Sequence, residues 1–281
     1  MKRGFVDVGE GQIHYRHAAP GGSGGVPLLM LHYCPGSSKQ IEDMICRFGR
    51  ERAVFAPDYP GNGDSTPAPE GVEIDIAYLA RAMLGAADAL GIERFDLLGV
   101  HTGARVATEI ALTQPQRVRR MILEGFGFYT NAQTADILEK HFPRKQPEYD
   151  GSHLAWAWSF IKDSKTWFPW HERKAANRLS IDLPSAESLH DAVLELLKAL
   201  GSYHKTYAAA FPYPMRERVP QLKVPTMLAF AKNETVFQQY EQAVNLLPGC
   251  AHAALPCGSI AKTSDADLDV AVETMSAFLR S

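Results

Sequence analysis

Between residues 27 and 123 short apolar runs alternate with amphipathic stretches, and this alternation admits very few architectures. Residues 27–32 form a short continuous apolar run, as expected of a strand buried on both faces, and 53–57, 95–99 and 118–123 read as further strands. Between them the pattern predicts helices over 39–48, 74–90 and 102–113. The second of these carries Ile76, Leu79, Ala80, Met83, Leu84 and Ala87 on one face and stops at Gly91. Strands that alternate with helices pair in parallel through right-handed crossovers. Ahead of them, residues 5–8 and 12–17 read as a hairpin turning at Gly9-Glu10-Gly11.

The rhythm lapses between residues 126 and 218, where the chain is helical, aromatic and punctuated by prolines. It then resumes with a strand over 224–230, a helix over 237–247, a strand over 251–255 and a helix over 267–279. A helical segment placed between two strands of one sheet reads as an inserted cap. The expected organisation is therefore a core of residues 1–125 and 219–281 with a cap of 126–218. That cap should lie over the carboxyl ends of the strands, where open α/β sheets bind ligands.

Composition excludes several classes. With 46% hydrophobic and 22% charged residues, the 281-residue chain is neither disordered nor fibrous. A formal net charge of −3 argues against nucleic acid as a partner, because neutralising phosphates needs a basic surface. No apolar run approaches the roughly 18 residues that would cross a bilayer, and the first residues lack the apolar core of a secretory signal. Four cysteines without a CxxC pair make no disulfide framework. The expectation is a reduced, cytoplasmic protein that meets a small molecule and neither membrane nor nucleic acid.

The segment Asp96-Leu-Leu-Gly99-Val100-His101-Thr102-Gly103-Ala104 holds the most chemistry. An apolar strand, two glycines four apart and then a helix form the setting of a nucleophile elbow, in which the central residue sits on a sharp, strained turn. A dinucleotide loop would need a further glycine between these two, and His101 would crowd a pyrophosphate, so no cofactor is called for. Here the sequence resembles the α/β-hydrolase family. The loop Asp58-Tyr-Pro-Gly61-Asn-Gly63-Asp-Ser65, the pair Leu31-His32 followed by Pro35-Gly36-Ser37-Ser38, the Val224-Pro225-Thr226 strand entry and the final Ala277-Phe278-Leu279 all fit that resemblance. It also extends to a subgroup with His-Thr-Gly at the elbow and Asp150-Gly-Ser-His153 in the cap. The resemblance implies an α/β-hydrolase fold: a mostly parallel eight-stranded sheet with helices on both faces and an inserted helical cap.

The resemblance also exposes two departures. His101 stands where the family has a serine, and residues 256–262, the loop after the last strand where the family keeps its histidine, contain none. The Ser-His-Asp relay therefore lacks both nucleophile and base. The acid position after the strand 224–230 is filled by Glu234, with Glu124 a weaker substitute that pleat alternation points away. An imidazole is longer than a serine side chain, so His101 can extend into the vacant volume and hydrogen-bond Glu234. A carboxylate on one ring nitrogen fixes the tautomer and leaves the other facing the pocket. This predicts a His101–Glu234 dyad acting as general base on water or on a proton beside a carbonyl. The backbone N–H groups of Thr102 and Cys34 would supply the oxyanion donors.

Two other readings stand beside it: a relic elbow on a scaffold now used for ligand binding, and a cofactor-free lyase or oxygenase. A metal held by Cys34, His101 and Glu234 is a further alternative, weakened by the absence of any short ligand spacing. The predicted pocket wall comprises Tyr33, Phe126, His153, Trp156 and Trp158, with the tryptophans as a water-excluding lid. From Glu139 to Arg178 eight lysines and arginines stand against five acids, too small an excess to mark an anionic substrate.

Overall fold

The computed structural model describes residues 1–20, 25–179, 182–260 and 263–281. In chain order the elements are β1 (Lys2–Val8), β2 (Gly11–Ala18), β3 (Leu28–Leu31), α1 (Glu42–Phe48), β4 (Val54–Pro57), α2 (Ile76–Ala89), β5 (Phe95–Val100), α3 (Thr102–Thr113) and β6 (Val118–Glu124). The helices α4 (Asn131–Lys140), α5 (Ser152–Ser164), α6 (Ala186–Lys198), α7 (Tyr203–Ala208) and α8 (Met215–Arg218) come next. The chain closes with β7 (Thr226–Ala231), α9 (Tyr240–Leu246), β8 (Ala251–Leu255) and α10 (Asp265–Arg280).

The eight strands form one sheet in the order β1-β2-β4-β3-β5-β6-β7-β8. The β1/β2 and β2/β4 pairings are antiparallel, and every pairing from β4 through β8 is parallel. Every residue of β5 is buried, because helices cover both faces of the sheet. Its side chains alternate accordingly: Leu97 joins the core under α2 and α3, whereas Leu98 and Val100 join the core under α1 and α10. Burying a leucine fully stabilises the fold by about 1.5–3 kcal/mol, so β5 anchors both layers at once.

At the carboxyl end of β5 the chain turns sharply into α3 through His101, which has φ 50° and ψ −99°. It is the one non-glycine residue with positive φ among the described residues. Both flanking glycines are demanded by contact. A Cβ on Gly99 would lie 2.1 Å from the Gly103 carbonyl oxygen, and one on Gly103 would lie 2.1 Å from the Leu31 carbonyl oxygen. The His101 N–H donates to the Glu124 carbonyl at 2.9 Å, which ties the turn to the end of β6.

The loop after β3 is fixed from β4. Asp58 accepts from the Ser38 N–H at 2.7 Å and hydrogen-bonds His14 Nδ1 at 2.7 Å. Burial alone would raise the Asp58 carboxyl, but these bonds hold it below the usual carboxylate range. Asn62 Nδ2 donates to the Gly36 carbonyl at 2.9 Å, and a Cβ on Gly63 would strike Asp58 Oδ2 at 2.1 Å. The Asp-Tyr-Pro-Gly-Asn-Gly stretch is thus a clamp on the Tyr33–Ser38 loop.

The segment between β6 and β7 holds the helices α4–α8. Helices α5 and α6 pack through Ala157, Phe160 and Ile161 against Leu189, Ala192, Val193 and Leu196. Leu194 is 44% exposed and is not on the packed face. The segment docks on the carboxyl-end loops: Ser37 Oγ donates to Glu195, Ser202 Oγ donates to the Gly61 carbonyl, and Lys198 lies 3.2 Å from Asp64. Among the described residues no helix is long and apolar enough to cross a membrane.

Replacing Gly103 by alanine drives a Cβ into a backbone carbonyl that has nowhere to move. We expect Gly103→Ala to cost about 3 kcal/mol, the upper range for overpacking, and to lower the melting temperature by roughly 10 °C in a thermal denaturation scan.

Candidate functional site

The elbow carries His101 above the carboxyl end of the sheet, and Glu234 approaches from the turn after β7. His101 Nε2 and Glu234 Oε2 are 2.8 Å apart. A carboxylate accepts, so in the neutral ring Nε2 carries the proton and Nδ1 keeps its lone pair. Nδ1 has no hydrogen-bond partner among the described residues, and His101 lines a cavity of about 140 Å³. The ring reaches Glu234 only because Gly125, at φ 60°, leaves room. A Cβ there would stand 2.6 Å from Nε2 and 2.9 Å from Glu234 Oε2.

Glu234 is 8% exposed, and its second oxygen, Oε1, is buried without a hydrogen-bond partner. Gly258 closes over that oxygen, since a Cβ on it would fall 2.0 Å away. Glu124 ends β6 with its carboxylate turned elsewhere, as pleat alternation requires. It accepts from the Ser259 N–H at 2.6 Å, and Ser259 Oγ lies 2.7 Å from Oε2. Burial first, and the nearby Glu234 charge second, push the Glu124 carboxyl up to about 7.

The expected oxyanion donors both border the cavity. Thr102 is the first residue of α3, so its N–H has no acceptor within the helix. The Cys34 N–H makes only a long contact, 3.4 Å, with Thr102 Oγ1. The Cys34 thiol is pushed up to about 12 by burial, so it is not a ready nucleophile. Among the described residues no three His, Cys, Asp or Glu side chains group as a metal would require, and Cys34, His101 and Glu234 do not do so.

Of the predicted pocket wall only Tyr33 lines the cavity, with its ring edge-on to His101 at 6.5 Å between centroids. Phe126 is fully buried beneath it, edge-on to Phe128 and Phe230, because Gly125 turns the chain back into the core. His153 accepts the Glu148 N–H at 3.0 Å and caps a turn away from the cavity. Trp156 stacks on Phe160 inside the insertion, and Trp158, on the opposite face of α5, is 38% exposed. The actual apolar wall is built by Tyr129, Phe168, Tyr207, Phe211, Ile161 and Val236. Sequence reasoning also missed two cations on this wall, Arg105 and Lys165. Arg105 was within reach of inference, since i and i+4 share a helix face and it follows His101 by four residues. Lys165, just beyond α5, gave no such sign.

A profile of the alpha/beta hydrolase fold matches residues 26–255. The chain belongs to the α/β-hydrolase family. Among curated proteins it is 31% identical over 121 residues to a pyrrolizixenacetamide deacetylase of Xenorhabdus hominickii, covering 43% of each chain. It is 37% identical over 104 residues to a 2-hydroxy-6-oxo-2,4-heptadienoate hydrolase of Pseudomonas putida, covering 36% of this chain and 37% of that one. The chain thus spans less than half the length of either relative. Among solved structures it superposes on an enol-lactonase from Burkholderia xenovorans with a TM-score of 0.71 and 19% identity, over 99% of this chain and all of the other. This family member therefore keeps the scaffold with histidine on the elbow.

Because folding raises the Glu124 value from 4.5 to about 7, the folded state holds that proton more tightly than the unfolded chain. The contribution of this group to stability is full below its unfolded value and is lost as pH rises through about 7. Melting curves recorded from about pH 5 to pH 8 should therefore show a decline that Glu124→Gln flattens. An unchanged slope in that variant would remove Glu124 from the account.

Proposed function

We propose that the protein is an enzyme that hydrolyses an ester, lactone or carbon–carbon bond in a small, partly apolar carbonyl compound. His101 is its general base and Glu234 the group that orients it. The observation that carries this reading is the 2.8 Å contact between His101 Nε2 and Glu234, with Nδ1 unpartnered among the described residues beside an aromatic-walled cavity. The family supports hydrolysis, and the partial relatives are named for acting on small carbonyl compounds.

In this scheme Nδ1 takes a proton from water as the water oxygen bonds to the carbonyl carbon. The charge that develops on the carbonyl oxygen is met by the N–H groups of Thr102 and Cys34, with Thr102 at the positive end of α3. Collapse breaks the bond to the leaving group, which takes the proton back from Nδ1. Glu234 keeps Nε2–H in place throughout and offsets the imidazolium charge that forms between the two transfers. The helical insertion serves as the lid, with its aromatic side chains excluding bulk water from these steps.

General base catalysis contributes about 10²–10⁴-fold. His101→Ala should lower kcat for responsive aryl esters or lactones by that factor, whereas Glu234→Gln, which leaves the ring in place but without its charged partner, should lose less. Turnover at the parent rate in His101→Ala would remove the dyad from the mechanism. Absence of turnover across a broad ester and lactone panel, together with an apolar ligand that raises the melting temperature, would instead indicate a binding protein.

A further inference from the structure

Three arginines are buried among the described residues: Arg16, Arg52 and Arg105. Two have carboxylate partners, since Arg16 lies 3.8 Å from Glu42 and Arg52 lies 2.6 Å from Asp96. Arg105, 5% exposed, has none. Its terminal nitrogens donate to two neutral acceptors, the His101 carbonyl at 3.2 Å and the Gly127 carbonyl at 2.9 Å. Its Nε is buried with no partner. A guanidinium stays charged at any ordinary pH, and buried charges are normally paired because their desolvation is costly.

A second cation faces the same space. Lys165 Nζ donates to the Ile260 carbonyl at 3.2 Å and lies 5.5 Å from the Tyr33 ring centroid, with no carboxylate of the described residues within ion-pair distance. Burial holds its pKa below the usual lysine range. The cavity wall offers one carboxylate, Glu234, and that is engaged by His101. Two cations with no carboxylate in ion-pair contact among the described residues therefore line one small, aromatic-walled cavity with the proposed base.

We propose that Arg105 and Lys165 form an anion subsite that binds a carboxylate group of the substrate. The substrate is then a carbonyl acid, a molecule bearing both the bond to be cleaved and a carboxylate. This rests on reading the cavity as the substrate site and not on the chemistry assigned to His101. A planar monoanion suits the site better than a phosphate. Guanidinium and carboxylate match edge to edge, and the surrounding Tyr129, Phe168, Tyr207 and Phe211 offer apolar surface to the body of the ligand. Arg105 also follows His101 by one helical turn on α3, so a carboxylate held there keeps the rest of the molecule beside Nδ1.

The test compares benzoate with benzamide, which share a ring and a shape but differ in charge, by calorimetric titration of the full chain. We expect benzoate to bind at least about tenfold tighter, equivalent to about 1.4 kcal/mol. Lys165→Met and Arg105→Gln should each abolish most of that preference while leaving benzamide binding within about twofold of the parent value. Arg105 also braces two backbone carbonyls, so its variant risks misfolding. Lys165, half-buried and bonded to a single carbonyl, then decides the matter alone. Equal binding of the two probes, no binding of benzoate, or a benzoate preference that survives Lys165→Met in a folded protein would overturn the subsite. A benzoate preference that persists in His101→Ala separates this inference from the catalytic one. If instead turnover depends on His101 but the charge preference is absent, the base stands and the anion subsite falls.

Discussion

The close crossing of β5, β3 and α3 governs the rest of this molecule. Gly99 and Gly103 have no room for a Cβ because the backbones of Gly103 and Leu31 already occupy it. That crossing forces the intervening residue into a left-handed conformation that an L-residue adopts only under constraint, and it lifts the side chain clear of the core. A residue so placed has its surroundings chosen for it: helix N-terminus below, open cavity in front, strand ends on either side. The family membership of the chain is a statement about this geometry, and it holds although the residue on the tip is a histidine.

Around that tip the charges obey a consistent logic. Glu234 and Glu124 both arrive from strand ends, close enough to repel, and the conflict is eased by giving each a different partner. Glu234 takes the imidazole, whereas Glu124 takes the Ser259 N–H and hydroxyl and retains its proton toward neutral pH. Three glycines make the packing possible. Gly125 admits the ring, Gly258 admits the carboxylate, and Gly63 admits Asp58, which braces the loop bearing Cys34. Arg105 and Lys165 bring positive charge to the same cavity, bonded to backbone carbonyls and, among the described residues, with no carboxylate in ion-pair contact. The helical insertion brings Lys165 and the aromatic wall to the site, and its docking through Ser37–Glu195 and Ser202–Gly61 sets where they stand.

Much of this was legible in the residues. Apolar runs and helical periodicity located the eight strands and the principal helices to within a few positions, because central strands covered on both faces are predominantly apolar and amphipathic helices repeat every 3.6 residues. The glycine spacing placed His101 on an elbow, and the interval after the next-to-last strand placed Glu234 within its reach. What failed was the pocket wall. Composition drew attention to the four tryptophans, yet Trp156 packs within the insertion and Trp158 faces outward. Phe126 lies under the cavity floor because a left-handed glycine precedes it. The charge count over the insertion was uninformative because a net excess says nothing about which cations lack a neighbouring carboxylate.

The sequence by itself determined the sheet, the elbow and the identity of the residue on it, since these depend on local periodicity, on glycine where backbones touch, and on short spacings along the chain. Only the tertiary structure decided which distant groups share the cavity. His101 and Glu234 are 133 residues apart and Ser259 lies 135 residues beyond Glu124, so their meeting depends on strand order and loop packing. The same holds for the two unpaired cations, whose lack of a counterion is a property of three-dimensional surroundings and leaves no mark on the order of residues.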